Sequence, residues 1–302
     1  MTNTPPFGQE TVPAPSRTRR RLRRIAMLML GALAVGAALV SPYWLPLVQG
    51  DADQRHLAFE RSQRLWRVSA GLSLPGTPDL ANLPGRLAEH GLTQGAPILM
   101  RIFKREFELE LWMQRDGVFH RFVTYPICRW SGTLGPKLAQ GDGQAPEGFY
   151  AVDKTALNPN SRWYRSFNLG FPNGFDRAHG RTGSFLMVHG GCASVGCYAM
   201  TNAQMDEIWR LVNAALDGGQ KQFQVQVFPF RMGSQKLAAS YAGAPNQAFW
   251  TNLKRGHDLF EKTLLPPKVS VCGGHYAFEA GSPDNGGDAM MSDSCPAASD
   301  KN

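Results

Sequence analysis

Three apolar runs of strand length succeed one another at residues 97–103, 107–112 and 118–125, the last two joined across Arg115-Asp116-Gly117. Aspartate followed by glycine suits a tight hairpin, because both residues tolerate the positive φ of a two-residue turn. A body that opens this way has to build a largely antiparallel sheet. Further strand-like runs occupy 149–152, 184–188 and 222–230. The last alternates, with Phe223, Val225 and Val227 on one face, and reads as half-buried. Helical patterns surround these strands at 52–73, 86–90 and 246–262. Another follows Thr201, capped by Thr201 and Gln204, with a buried stripe of Met205, Ile208, Trp209, Val212, Ala215 and Leu216 and a stop at Gly218-Gly219. The expected fold is α+β: a mainly β body, sandwich or open barrel, with flanking helices at both ends.

The charge is unevenly spread. Residues 1–50 carry six arginines (17, 19, 20, 21, 23 and 24) against the single acid Glu10, while the other 252 residues are close to balance at +3. A balanced body gives no footing for nucleic acid as a partner. The arginines precede an uncharged run from Ile25 to Val48. That arrangement is a cleavable signal peptide or a single anchor in the inner membrane; Ala32-Leu-Ala34 lies inside the apolar run, which favours the uncleaved form. Either way the body is expected outside the cytoplasm. The expected organisation is a leader at 1–50, a helical segment at 51–96, a mainly β domain at 97–230, a helical extension at 231–280 and a disordered Ser/Asp/Gly/Ala-rich tail at 281–302.

The chemistry is concentrated in Phe185-Leu-Met-Val-His189-Gly-Gly-Cys192-Ala-Ser194-Val-Gly196-Cys197. A strand delivers a histidine, glycines let the chain double back, and a cysteine arrives just ahead of a helix start. In an exported chain with five cysteines, two disulfides at most can form and one thiol is left over. Cys197 is therefore the leading candidate nucleophile and His189 its base. The positive end of the following helix is expected to lower the thiol pKa, and the Gly196 and Cys197 amides to form an oxyanion hole. Three plainer readings stand beside this one: a Cys192–Cys197 disulfide, a zinc site of His179, His189, Cys192 and Cys197, and inert buried thiols. Trp130, Trp163, Tyr164, Arg165 and His179 could line a substrate groove; packing explains the aromatics as well. Asp142, in a glycine-rich loop, suits an Asx turn.

These residues resemble the active-site signature of the L,D-transpeptidases, the YkuD-type catalytic domain. His189-Gly190 and Ser194-Val195-Gly196-Cys197 follow its His-Gly and Ser-His-Gly-Cys order, and Gly141-Asp142-Gly143-Gln-Ala-Pro146-Glu147-Gly148-Phe149-Tyr150 follows its Gly-Asp-x-x-x-Pro-x-Gly segment. Val195 replaces the usual histidine and Ala199 the usual arginine, and the gap between the two motifs is short. Tyr125-Pro-Ile-Cys128-Arg-Trp130-Ser-Gly132, Gly135-Pro-Lys137, Phe228-Pro-Phe-Arg231, Pro266-Pro-Lys-Val269 and Cys272-Gly are similar to the YafK-like branch. Cys128 and Cys192 recur with that branch motif and can pair with each other or lie buried.

The resemblance implies a YkuD-like β-sandwich and acyl transfer on peptidoglycan stem peptides. The acyl group would be carried as a thioester at meso-diaminopimelate, with Gly196 and Ser194 shaping the turn and no metal or cofactor. The branch includes a hydrolase that frees an outer-membrane lipoprotein from peptidoglycan, so the implied partners are peptidoglycan and such a lipoprotein. A non-catalytic peptidoglycan-binding envelope protein is the alternative outside enzymes.

Overall fold

The computed structural model describes residues 21, 24–36, 51–233, 235, 239, 241–285, 287–293 and 295. The chain divides into two compact units, Met1–Ala58 and Phe59–Asn302. Within the first, residues 24–36 are helical and exposed; the rest of the expected apolar leader lies outside the described residues. Among the described residues no helix is long and apolar enough to cross a membrane. Helix α1 (Ala52–Ser69) runs across the division, and α2 (Leu83–Glu89) follows, capped by Asn82.

The second unit is built on three sheets. The first has the order β3-β2-β1-β10-β5, from β1 (Ile98–Phe103), β2 (Glu108–Arg115), β3 (Val118–Pro126), β5 (Gly148–Asp153) and β10 (Gln222–Phe228). Its β2–β3 turn has Asp116 at φ 52° and Gly117 at φ 81°, the pair of left-handed residues that a tight hairpin requires. β1 and β10 are parallel, and all other neighbours in this sheet are antiparallel. Between β1 and β10 in sequence lies the second sheet, β4-β9-β8-β7-β6. Its strands are β4 (Arg129–Trp130), β6 (Leu157–Asn158), β7 (Ser166–Asn168), β8 (Met187–His189) and β9 (Tyr198–Ala199). The mainly β body with flanking helices is thus as expected. The polar-aromatic stretch 158–183 contains β7 and the short helix α3 (Gly174–Ala178).

Helix α4 (Asn202–Asp217) carries the reciprocal Thr201/Gln204 capping box. Leu211 joins the buried stripe and Trp209 is only half-buried. Helix α5 (Gln247–Thr263) covers the face of the first sheet that bears Leu99, Phe103 and Phe228, packing Leu253 and Phe260 there. For that reason β10 is not half-buried: Gln224 and Gln226 are both sealed, bonded to each other and, through Gln224, to Pro267 O. The C-terminal addition has its expected helix and also a third sheet, β12-β11-β13. β11 (Lys268–Cys272) and β12 (His275–Glu279) turn through Gly273-Gly274. The tail from 281, expected to be disordered, contributes β13 (Met291–Ser292) alongside β11 and is tied back by a Cys272–Cys295 disulfide.

One buried ion pair organises the glycine-rich loop 131–148. Lys104 Nζ lies 2.9 Å from Glu147 Oε1, both side chains fully enclosed. Lys104 also donates to Gly135 O (2.9 Å) and Ala145 O (3.0 Å), and Glu147 accepts from Gly135 N (2.7 Å) and Trp250 Nε1 (2.9 Å). Each ion's polar capacity is therefore used, the condition under which such a pair is tolerated in a core. Lys104→Met alone is expected to destabilise the protein by roughly 3–5 kcal/mol, because it strands a buried carboxylate. The Lys104→Met/Glu147→Leu double variant should lose less than the sum of its singles. Urea denaturation of the four proteins checks this; strict additivity would contradict it.

Candidate active site

β8 and β9 are parallel neighbours, with Val188 opposite Tyr198 and His189 opposite Ala199. Cys197 immediately precedes Tyr198, so the register sets it opposite Met187, two positions from His189. Cys197 itself lies one residue outside β9, and its thiol bonds the edge of the chain that enters β8, at Phe185 O and at the Met187 backbone, two residues before the imidazole. The intervening loop is closed by Met200 N donating to His189 O (2.7 Å) and Cys192 N to Met200 O (3.3 Å). A disulfide joins Cys192 to Cys128, and Cys197 is the free cysteine. That pairing removes Cys192 from both a bond to Cys197 and the four-residue zinc set. Gly196 has φ +98°, which a side chain would strain. At Gly190 a Cβ would come within 2.7 Å of Asn202 Oδ1 and 3.0 Å of the Tyr164 ring.

His189 is buried and its Nδ1 lies 2.5 Å from Gly190 O. A carbonyl only accepts, so Nδ1 carries the proton and Nε2 keeps a lone pair. The Trp163 ring stacks on the imidazole at 6.1 Å. Burial lowers the His189 pKa from its ordinary value, partly offset by the Gly190 bond. The Cys197 thiol donates to Phe185 O at 3.6 Å. Burial raises its pKa, opposed by a backbone bond from Met187 and by the charge of Lys137. The expectation of a thiol acidified by a helix end does not hold: β9 intervenes, and α4 begins five residues later at Asn202. The resting pair is thus neutral thiol and neutral imidazole.

A serine pair shapes the turn. Gly196 N donates to Ser131 Oγ (2.5 Å), and Ser194 Oγ donates to Cys197 O (2.7 Å). The two hydroxyls are 3.2 Å apart, and with Ser194 donating elsewhere, Ser131 is the donor between them. The Gly196 amide is therefore engaged, and of the two amides expected for an oxyanion it is not the one on offer. Ser131 and Lys137 were not singled out from sequence, although both sit inside the quoted motifs. Lys137 Nζ bonds Asp142 (2.5 Å) and Ala139 O (2.9 Å). Asp142 also accepts from the amides of Leu138, Ala139 and Gln144 at 2.9–3.0 Å. Burial raises its pKa, but these bonds outweigh that effect and hold it at about 2, as an ionised turn former.

Other sequence candidates fall elsewhere. Trp130 is 0% exposed, enclosed by the Arg61 guanidinium (4.6 Å), the Lys104 ammonium (4.9 Å) and Phe107, so it packs and does not line a groove. His179 ends α3, stacked on Phe175 at 4.2 Å, and joins none of the bonds of the thiol's turn. Tyr164 and Arg165 give their polar ends to Asp206 on α4 (2.6 and 2.9 Å), while Tyr164 O accepts from Gly190 N (3.0 Å). They support the His189 loop from behind. Phe185, 70% exposed, stands beside the thiol instead, its carbonyl accepting from it.

Two outcomes follow from this geometry. Alkylation of Cys197 should accelerate with pH throughout the range 6–9, with no neutral plateau; a plateau below pH 7 would mean a preformed thiolate–imidazolium pair. Ser131→Ala should leave the thiol alkylatable but cut turnover on the order of 10²-fold, since small misplacements of a reacting group cost that much. Steady-state kinetics with normal turnover would contradict the serine pair's role.

The YkuD model, the L,D-transpeptidase catalytic domain, matches residues 105–233. The chain is 47% identical over 183 residues to YafK of Escherichia coli (strain K12), a protein whose name places it among the L,D-transpeptidases; the match covers 60% of this chain and 74% of that one. The same identity holds for YafK of Escherichia coli O157:H7. Among solved structures, the helical cell shape determining protein Pgp2 from Campylobacter jejuni aligns at TM-score 0.36 and 21% identity, over 51% of this chain and 57% of that chain. Bd1075 of Bdellovibrio bacteriovorus aligns at 0.32 and 17%, over 56% and 58%. Both likenesses are too loose to bear on activity.

Proposed function

The chain belongs to the L,D-transpeptidase family, in its YafK-like branch, and on that premise we propose that it transfers acyl groups of peptidoglycan stem peptides through Cys197. The observation that supports this reading is the pairing of β8 with β9, which sets the free thiol of Cys197, one residue before β9, beside the strand that ends in the base-competent His189. His189 Nε2 takes the thiol proton as sulfur attacks the carbonyl at the L-centre of meso-diaminopimelate. The Cys197 amide stabilises the oxyanion. Collapse forms the thioester, and the imidazolium returns its proton to the departing amine. An acceptor amine, or water, then gives its proton to His189 and displaces the thiol. N-terminal arginines ahead of an apolar run support export to the periplasm, where this substrate lies.

A second reading is hydrolysis, with release of a peptidoglycan-linked lipoprotein. One observation favours it: the arginine usual in the family is replaced by Ala199, a buried residue of β9 that offers no charge to an acceptor. A binding protein without catalysis is less well supported, because Cys192 is paired with Cys128 and not with Cys197.

Incubation of the full chain with lipoprotein-bearing sacculi, followed by mass spectrometry of soluble and muropeptide products, separates these readings. Cys197→Ala should abolish product, and His189→Ala should lower the rate by roughly 10²–10⁴-fold. New diaminopimelate cross-links or amine exchange identify the transferase, and freed lipoprotein the hydrolase. Normal rates with Cys197→Ala would refute the mechanism.

A further inference from the structure

On the α5-covered face of the first sheet, outside the thiol's turn, a cavity of about 370 Å³ is walled by Arg101, Glu110, Trp112, Arg121, Arg231 and Glu261 among others. A second cavity of about 640 Å³ shares Arg231 and Glu261 with it. The carboxylates of the first cavity are already engaged. Glu110 accepts from Arg231 (2.9 Å), Arg121 (3.1 Å) and Trp112 Nε1 (2.9 Å). Glu261 accepts from Arg101 Nη1 (2.5 Å). The cationic side is not saturated. Arg101 is 1% exposed, yet its Nε and Nη2 have no hydrogen-bond partner among the described residues. A buried donor left unpaired is costly, and native cores rarely keep two on one residue.

The identity of those two atoms is informative. Nε–H and Nη2–H form one lateral edge of the guanidinium, the fork that takes both oxygens of a carboxylate. The guanidinium is flanked by the rings of Phe260 (4.9 Å), Phe103 (5.3 Å) and Phe228 (5.5 Å), which fix its plane. Arg121 stands half-exposed at the rim. Glu108 holds the other nitrogen of Arg231, so three guanidiniums stand against three carboxylates, and what the wall offers is the unpaired lateral edge of Arg101.

We propose that the lateral edge of Arg101, with the half-exposed Arg121 at its rim, is a receptor for a carboxylate, and that this carboxylate belongs to a peptidoglycan stem peptide. The second half rests on the function proposed above; the receptor itself does not. Occupied, it anchors the substrate at a point outside the thiol's turn.

The test uses the full chain bearing Cys197→Ala, titrated with disaccharide-tetrapeptide, and reads the Trp112 indole N–H resonance, assigned by Trp112→Phe. A saturable shift is expected, weakened at least tenfold by Arg101→Lys, which keeps the charge and removes the fork, and by Arg121→Gln, a rim change that leaves folding intact. Acetate should displace the muropeptide, and a muropeptide with amidated carboxylates should not bind. No shift with acetate or muropeptide, or equal binding by the amidated form, overturns the receptor. A response to inorganic phosphate with none to acetate overturns a carboxylate ligand. Binding of acetate without muropeptide keeps the receptor and overturns the stem peptide. Thioester formation on the native thiol is a separate readout, so the function can fail while the receptor stands, and the reverse.

Discussion

Lys104 and Glu147 lie 2.9 Å apart with no solvent contact, and the loop between β4 and β5 takes its course from them. Gly135 is gripped from both sides, its amide by Glu147 and its carbonyl by Lys104. With Ala145 O on the lysine and Pro146 O on Tyr198 OH, both ends of the loop are pinned. Ser131, at its start, then meets the Gly196 amide, and Lys137, in its middle, lies close enough for its charge to act on the thiol. A charged pair in a core is often no more stabilising than packed hydrocarbon. What this pair supplies is placement: two ions each needing several partners can be satisfied by one loop path only. The Cys128–Cys192 disulfide does the same on the other side of the turn, joining the loop after His189 to the segment before Ser131.

The electrostatics of the site run against a simple picture of an acidified cysteine. Burial lifts the thiol pKa and depresses that of His189, so both groups rest neutral near pH 7. In the proposed mechanism, charge separation then accompanies attack on the substrate. That arrangement keeps an unoccupied thiol unreactive towards oxidants, because the thiolate is the reactive form. The Gly190 carbonyl fixes the tautomer that leaves Nε2 free, and Trp163 covers the ring. Tyr164 and Arg165, tied to Asp206, brace that cover from α4.

Features governed by local chemistry were legible in the sequence. Asp116-Gly117 turns the hairpin, Thr201 and Gln204 cap α4, and the glycines around Cys192 and Cys197 mark a chain that doubles back. What depends on distant partners was not. The parallel pairing of β8 with β9 involves two strands of two or three residues, too short to show a period. Trp130 reads equally as groove or core until Arg61 and Lys104 are seen stacked against it. The burial of β10 on both faces follows from α5, twenty residues further on. The β11–β12 hairpin did carry a local signal, Gly273 and Gly274 at φ 56° and 75° between alternating runs, and the reading of that region as helical passed over it. The polar tail gains its structure from a disulfide and one added strand, neither visible in its composition.

The proposed chemistry requires a covalent bond at Cys197. The full chain, incubated briefly with muropeptides and quenched in acid, should show by intact-mass and peptide mass spectrometry a stem-peptide acyl adduct on Cys197, labile to hydroxylamine as a thioester is. The adduct should be absent in Cys197→Ala and slow to form in His189→Ala. Product formation without an adduct, or an adduct on another residue, would contradict the central claim.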